Sequence, residues 1–374
     1  MGANPLELGS LNSMSGIANS VVSAPMGWFI DKYGVKKVMV LGLLLAATVS
    51  AIYGFAFNWL MLIPAMILAP ISFRMIFPIA DIIFVDSVKP EGRGQAMGFS
   101  RTIWAIPSIL APMTAAVMVT TFGGINSQGI RPLYTIQMLL ITSIVVFLAF
   151  MLKIPHVQSV TEKHEPRIKK TSLIQDFNEL FKGERWLREW AVAMSLWQIV
   201  MSTSMPFVPL WMVDVKHADP YILGAMSTLG MTASALLQIP MGKMADKIGR
   251  KKVYFLLRPF SYIGTLLLVL APNPMFLIPV GVLGAIGLVE GIGGVSFIPF
   301  ITMYWEVVPA EKRGRWFGFT GIFTIFTVPA YVLGGFLWQT GLMELVLLLP
   351  ILIEILAVIP IIVKVPDTLG VSKQ

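Results

Sequence analysis

The sequence predicts an all-α integral membrane protein, and three observations carry that class. Hydrophobic residues make up 56% of the 374-residue chain and charged residues only 13%, with a mean hydropathy of +0.77, which leaves too little polar surface to cover a soluble globule of this size. Apolar runs recur at lengths of about 20 residues, the length a helix needs to cross roughly 30 Å of hydrocarbon. The runs are continuous and interrupted only by Gly and Pro, whereas the strands of a membrane barrel alternate with period two over short segments.

Eleven such runs are read, over residues 8–30, 38–57, 59–86, 95–122, 132–153, 188–214, 220–243, 253–272, 275–307, 315–339 and 342–363. The net charge of +8 does not indicate nucleic acid, because the basic residues gather in alternate loops, as the positive-inside rule requires of a polytopic protein. Of the 28 Lys and Arg residues, Arg131 and Lys216 alone fall in loops of the opposite side, while Arg74, Arg101 and Arg258 lie in or at the edge of helices. The basic loops, the central linker and the C-terminus are therefore expected on the cytoplasmic side of a cell membrane. No cysteine is present, which excludes disulfide and thiolate chemistry.

The longest polar segment, residues 153–187, divides the chain into an N-terminal bundle over 1–152 and a C-terminal bundle over 188–374. It reads as a linker carrying a short amphipathic helix around Leu173 to Phe181. Two ordered repeats relate the bundles. The stretch "PMGWFIDKYGVKKV" at 25–38 returns as "PMGKMADKIGRKKV" at 240–253, and "VKPEGRGQAMGFS" at 88–100 returns as "VPAEKRGRWFGFT" at 308–320. Offsets of 215 and 220 residues between the copies indicate a duplicated bundle.

The pattern G-x-x-x-D-x-x-G-x-K/R-K in both copies resembles the signature of the major facilitator superfamily, and the resemblance covers essentially the whole chain. Its residues are Gly27, Asp31, Gly34, Lys36 and Lys37 in the first copy, and Gly242, Asp246, Gly249, Arg250 and Lys251 in the second. An acidic residue followed by R-G, Asp86 with Arg93 and Glu306 with Arg313, is similar to that family's companion motif. The resemblance implies two pseudo-symmetric helical bundles and a cytoplasmic gate. Gly27 and Gly242 would let helices approach closely, and Asp31 and Asp246 would meet the positive ends of helices starting near Arg315 and Gln95. Asp86 and Glu306 would pair with the motif's basic residues. The plainer alternative makes these charges topology-setting loop residues.

Two departures from the family pattern stand out. The basic residue expected after the second glycine is Arg250 in one copy but Val35 in the other, which leaves Lys36 as its substitute. One span fewer precedes the motif loop in the first bundle than in the second, so the count is 5+6 helices instead of twelve. The expectation is that the family's first helix is lacking here, either because the natural start lies upstream or because the chain dispenses with it.

An ionisable residue inside a membrane helix is costly unless it is paired or faces water, and Arg74, Asp81 and Glu290 are so placed. Arg74 and Asp81 are seven residues apart on the fourth helix of the family count, on one face and roughly 10 Å from each other, with Pro78 between them. Arg74 resembles the fourth-helix arginine of the superfamily's drug/proton antiporters, with Phe77 and Pro78 where Gln and Gly are usual. Glu290 lies in the tenth helix near the duplicate position of Arg74, and the resemblance places these two helices face to face across the cavity. A carboxyl at that depth can bind a proton or a cationic substrate, with Arg74 modulating it; the alternative is an ion pair holding the halves in register. Glu354, in the last helix, reads as structural.

In the seventh helix Trp197, Gln198, Ser202 and Trp211 are candidates to line the cavity, against a plainer reading of backbone-bonded Ser and interfacial Trp. Pro112, in "PSILAPMTAAV", faintly resembles the antiporter motif of the fifth helix, with Ala111 and Ala115 in place of Gly. Glycines 281, 284, 287, 291, 293 and 294 suit close packing or bending. No phosphate-binding loop or nucleophile elbow is read, and His156, His164 and His217 lack metal-ligand spacing, so no enzyme activity, metal or cofactor is implied. The reading is a monomeric secondary transporter, working by alternating access in the bilayer on a small molecule, with protons as the coupling partner. Export of lipophilic or cationic compounds is favoured. Uptake of a small metabolite by symport and a non-transporting membrane protein are the alternatives.

Overall fold

Backbone N–H and C=O groups find no water inside a bilayer, so a chain this apolar closes them within helices. The computed structural model describes residues 2–23, 25–86, 93–151, 185–288, 290–307, 321 and 323–365, with the side chains at 27, 28, 31, 35, 78–86, 93–102, 149, 151, 185 and 305 outside the description. Among the described residues there are helices and turns but no strand. The amphipathic helix expected around Leu173 to Phe181 lies outside them.

Six helices precede the linker: α1 Pro5–Ser23, α2 Met26–Tyr33, α3 Val35–Phe55, α4 Leu62–Asp86, α5 Arg93–Thr121 and α6 Ser127–Met151. Beyond it come α7 Arg185–Ser204, α8 Pro220–Ile248, α9 Arg250–Leu270, α10 Leu277–Leu283, α11 Phe297–Val307, α12 Thr327–Gln339, α13 Met343–Ile353 and α14 Ile359–Lys364. Eight stretches of the described residues are long and apolar enough to cross a membrane. Shorter apolar helices occupy Pro274–Leu283, Gly291–Tyr304 and Phe323–Gln339, so the described helices agree roughly with the eleven predicted runs.

The composition of α1 follows from where it packs. Gly9, Ser13, Gly16, Ser20 and Ser23 recur at steps of four and three, hence on one helical face, and all are buried. That face lies on α12: a Cβ added at Gly9 would stand 2.4 Å from the Tyr331 carbonyl oxygen, and one added at Gly335 would stand 2.6 Å from that of Pro5. The Ser13 hydroxyl sits between the carbonyls of Gly9, at 3.0 Å, and Val328, at 2.9 Å. Apolar attraction between helices is weak in lipid, so close backbone approach through small residues supplies the contact instead. A second seam joins α5 to α8, where a Cβ on Gly224 would lie 2.8 Å from Ala116 Cβ and 3.1 Å from the Pro112 carbonyl. The two seams bind the helices before the linker to those after it. Within the first group α3 packs on α4 and α6, and the Ser72 hydroxyl donates to the Gly42 carbonyl at 3.0 Å.

The duplication reaches further than the repeated motifs. α3 and α9 are both 21 residues long, and each starts from a glycine with left-handed φ, Gly34 at 80° and Gly249 at 108°. That conformation explains the second glycine of the motif, since a side chain there would be strained. Each helix ends at an alanine, Ala56 or Ala271, and an asparagine follows two residues later. Asn58 Oδ1 accepts from the Met61 N–H and Asn273 Oδ1 from the Met275 N–H, both at 3.1 Å. Arg131 Nη2 donates to the Ala56 carbonyl, and Lys216 Nζ donates to the carbonyls of Val269 and Ala271, each at 2.8 Å. The two cations on the opposite side thus serve as C-terminal caps, where unpaired carbonyls and the negative helix end attract positive charge.

Replacing Gly9 by Leu drives a side chain into the α12 backbone, and overpacking of this kind costs about 1–3 kcal/mol. The thermal unfolding midpoint of purified Gly9→Leu is expected to fall by several degrees. Gly242→Ala, whose added carbon meets no described atom within 4 Å, is expected to leave it unchanged.

Candidate functional site: a broken helix with a buried carboxyl

The span predicted as one helix over 275–307 is interrupted. α10 stops at Leu283, Gly284 to Leu288 and Glu290 are non-helical, and helical turns resume with Gly291–Gly294 and then α11. Three glycines make the interruption possible: Gly284, Gly287 and Gly291 take φ of 82°, 90° and 85°, values that L side chains avoid. A break at this depth persists only where the freed polar groups find partners. The Ile286 N–H donates to Thr265 Oγ1 on α9 at 2.8 Å, and the Ser234 hydroxyl on α8 donates to the Gly291 carbonyl at 3.1 Å. No side chain fits at Gly264, whose Cβ would stand 1.7 Å from the Gly284 carbonyl oxygen.

The span predicted over 188–214 also departs from a single α-helix. α7 ends at Ser204, a short turn spans Val208–Leu210, and Trp211–Val215 is a π-helical turn. The two interruptions touch, because a Cβ on Gly287 would lie 3.0 Å from Val208 Cγ2 and 3.3 Å from Ser204 Oγ. Ser204 is fully buried and its hydroxyl has no hydrogen-bond partner among the described residues.

Glu290 therefore sits in the break rather than fifteen residues into a continuous helix, with extended backbone at φ −96° and ψ 172°. It is partly buried against α8, where a Cβ on Gly230 would be 3.2 Å from its own Cβ, and the Ser227 hydroxyl lies near its carboxyl. Arg74 is held elsewhere: its Nε donates to Asn19 Oδ1 on α1 at 2.6 Å, and Nη2 would lie 3.1 Å from a Cβ on Gly321. Arg74 and Glu290 form no ion pair, so the alternative of a register-setting bridge between them is not made. Each charge has a neutral side chain near it, on its own side of the seams. The Asp81 side chain lies outside the described residues.

Trp197 stacks on Phe297 with centroids 5.2 Å apart and planes at 25°, within an aromatic cluster that includes Trp190, Phe300 and Tyr304. The cluster binds α7 to α11. Gln198, the next residue, is partly buried. Trp211 packs in a hydrophobic cluster with Phe207, Met212, Leu268 and Trp338. It is buried, and its indole N–H donates to the Leu268 carbonyl at 3.0 Å, as a buried Trp requires of its polar edge. Ser202 is buried as well.

At the motif end, Arg250 Nη2 lies 2.6 Å from Glu306 Oε1 and 3.5 Å from Asp246 Oδ1, so the acidic residue of the companion motif meets the motif's basic residue. Asp246 is exposed. Lys251 Nζ donates to the carbonyls of Val363 and Val365 at 2.6 and 2.7 Å, tying α9 to the end of α14. Among the described residues nothing lies within 4 Å of a Cβ added at Gly242, while Ala245 of the same end of α8 is buried with Val253, Leu257 and Val295. In the first copy Gly34 forms its turn, Lys36 is partly buried and Lys37 exposed. The side chains of Gly27, Asp31, Asp86 and Arg93, the whole of Arg313, and the helix starts expected near Arg315 and Gln95 lie outside what is described at side-chain level. No cluster of His, Asp or Glu suited to a metal occurs among the described residues.

One polar cluster was not legible beforehand. Arg258 on α9 and Glu354, which opens a π-helical turn after α13, form a bidentate pair with Nε to Oε1 at 2.6 Å and Nη2 to Oε2 at 2.5 Å. The Tyr254 hydroxyl adds a bond to Oε1 at 3.0 Å, and Glu354 is wholly buried. The signal was present as one Arg and one Glu inside apolar spans of the same bundle, but 96 residues separate them. Removing one partner of such a pair costs about 3–5 kcal/mol, whereas replacing both by apolar residues is often neutral. Glu354→Gln and Arg258→Met are thus each expected to lower the unfolding midpoint sharply, and Arg258→Met combined with Glu354→Leu to restore most of the loss.

Two groups of helices joined along small-residue seams, several of them long and apolar enough to cross a membrane, with one helix broken beside a carboxyl, define a helical membrane protein built of two packed groups. A sequence profile described as Major Facilitator Superfamily matches residues 1–228 and 190–373, and the chain belongs to that superfamily. It is similar to the Multidrug resistance protein MdtG of Escherichia coli O9:H4 (strain HS), with 25% identity over 277 residues, 68% of this chain and 64% of that protein. It is also similar to the Uncharacterized MFS-type transporter C18.02 of Schizosaccharomyces pombe, with 27% identity over 124 residues, 33% of this chain and 28% of the relative. The matched stretches thus span less than two thirds of either relative's length. Among solved structures, the nucleoside transporter NupG, crystallised as a mutant, superposes with a TM-score of 0.72 at 14% identity over 96% of this chain and 91% of that one. A bacterial homologue of the iron transporter ferroportin, in its inward-facing state, gives 0.66 at 14% over 96% and 90%. At such identity the likeness is one of fold.

Proposed function

We propose that this superfamily member exports lipophilic or cationic compounds in exchange for protons, rocking its halves, residues 1–152 and 188–374, about a midplane site with Glu290 as the proton-carrying group. The observation that carries the reading is Glu290 in the break of α10 and α11, facing a hydroxyl and pairing with no described cation. Such a carboxyl in a membrane span is costly to maintain for structure alone. It can take either a proton or a cationic substrate, and competition between the two for one site is the simplest source of exchange. Arg74, on the opposite half, supplies fixed positive charge that disfavours simultaneous occupancy; Asp81, Trp197 and Gln198 belong to the same path in this reading. The name of the MdtG relative, a multidrug resistance protein, supports export, as does the Pro112 stretch that forms the seam with α8. The gate at the motif end is the Arg250 to Glu306 pair, with Gly27, Asp31, Asp86, Arg93 and Arg313 as its further members.

The test is transport of tetraphenylphosphonium into proteoliposomes with an acidic lumen and the membrane potential clamped. The expected result is gradient-driven accumulation that falls at least about tenfold in Glu290→Gln, an effect of more than about 1.4 kcal/mol on the coupled step. Full gradient-driven uptake by Glu290→Gln would remove Glu290 from the coupling role, and accumulation driven by an acidic exterior instead would select symport.

A further inference from the structure

Arg74 is held by an amide, and amide chemistry has a direction. A guanidinium only donates, so the Asn19 atom 2.6 Å from Arg74 Nε is the oxygen, and the NH2 end points away. It points across the seam, with Nδ2 3.4 Å from Thr324 Oγ1 ahead of α12. The Thr324 hydroxyl spends its own proton on the Gly321 carbonyl at 2.7 Å, which leaves its oxygen free to accept from Asn19. Gly321 completes the arrangement: a Cβ there would stand 2.3 Å from Ser23 and 3.1 Å from Arg74 Nη2, so only glycine lets the guanidinium approach this segment. The Ser23 hydroxyl is already committed to the Asn19 carbonyl. Arg74 on α4, Asn19 on α1 and Thr324 beside α12 thus form one relay from the first half to the second.

We propose that Asn19 is a positioning residue that makes the orientation of Arg74 depend on how the two halves stand relative to each other, a role that rests on the alternating-access reading above. The two links of the relay are unequal. The bond from Arg74 to Asn19 is short and charge-assisted, the stronger kind, while the bond that crosses the seam is at the limit of hydrogen-bond length. A slide of one helical rise, about 1.5 Å, parts the crossing bond and leaves the other intact. Asn19 then turns with Arg74, and the charge facing the substrate path differs between the two states.

The chain has no cysteine, so a single Gly242→Cys, whose Cβ meets no atom of the described residues within 4 Å, reports opening at the motif end through its rate of reaction with a membrane-impermeant maleimide. In this background Asn19→Leu and Thr324→Val are each expected to change the rate at least about threefold in the same direction, with the double variant no different from the larger single effect, because both cut one relay. Asn19→Asp, which keeps the contact to Arg74 but has no donor for Thr324, is expected to match Thr324→Val. Additive effects, unchanged rates, or rate changes that simply follow the unfolding midpoint of each variant would overturn the relay. The labelling uses no substrate, so its failure leaves the exporter reading standing, and a failure of gradient-driven uptake leaves the labelling result standing.

Discussion

A backbone group released from a helix inside a bilayer has no water to turn to, and that constraint decides where this chain departs from helical form. The break after Leu283 is tolerated because Gly284, Gly287 and Gly291 accept left-handed backbone and because Thr265 and Ser234, on the two helices that flank it, take up freed groups at Ile286 and Gly291. The second interruption, after Ser204, lies against the first, so one region of the second half carries both. Everything functional in the proposed mechanism follows from this placement. Glu290 is carried on non-helical backbone, beside hydroxyl groups, in a part of the bundle that two flanking helices hold and that a continuous helix would have sealed.

The halves are similar in frame and different in chemistry. From Gly34 to Asn58 and from Gly249 to Asn273 the same turn, helix length, terminal alanine and asparagine cap recur, and even the capping cations Arg131 and Lys216 serve equivalent ends. Symmetry stops at the following crossing. α4 is helical throughout Leu62–Asp86 and carries a cation, while its counterpart is broken and carries an anion. Arg74 is held by a neutral partner, Asn19, and Glu290 has the Ser227 hydroxyl near it, whereas Arg258 and Glu354 in the second half form a bidentate ion pair sealed from solvent.

Much of the frame was legible in the sequence because it depends on composition and local turn chemistry. Apolar length marks the crossings, and Gly34 and Gly249 mark turns that no other residue makes comfortably. The Glu306 to Arg250 contact followed from the repeated motif. The break was only half legible: glycines 281 to 294 signalled bending, but the apolar run from 275 to 307 is uninterrupted in hydropathy, and periodicity cannot show which glycine takes positive φ. Asn19 and Ser227 were invisible as neighbours of these charges because a polar residue in a membrane helix is as often bonded to its own backbone as to a neighbour. Trp211 is ambiguous for a related reason, since its amphipathic ring suits a pocket wall and a buried helix contact alike, and its bond to the Leu268 carbonyl could not be read from the sequence.

The claim at the centre is that proton and cation compete for the carboxyl in the break. Proton release on ligand addition measures this directly: purified protein in weakly buffered detergent, with a pH-indicating dye, is titrated with tetraphenylphosphonium. The account predicts that the native chain releases protons on binding and that Glu290→Gln releases none. Equal release from both proteins, or binding by the native chain with no protons released, would contradict it.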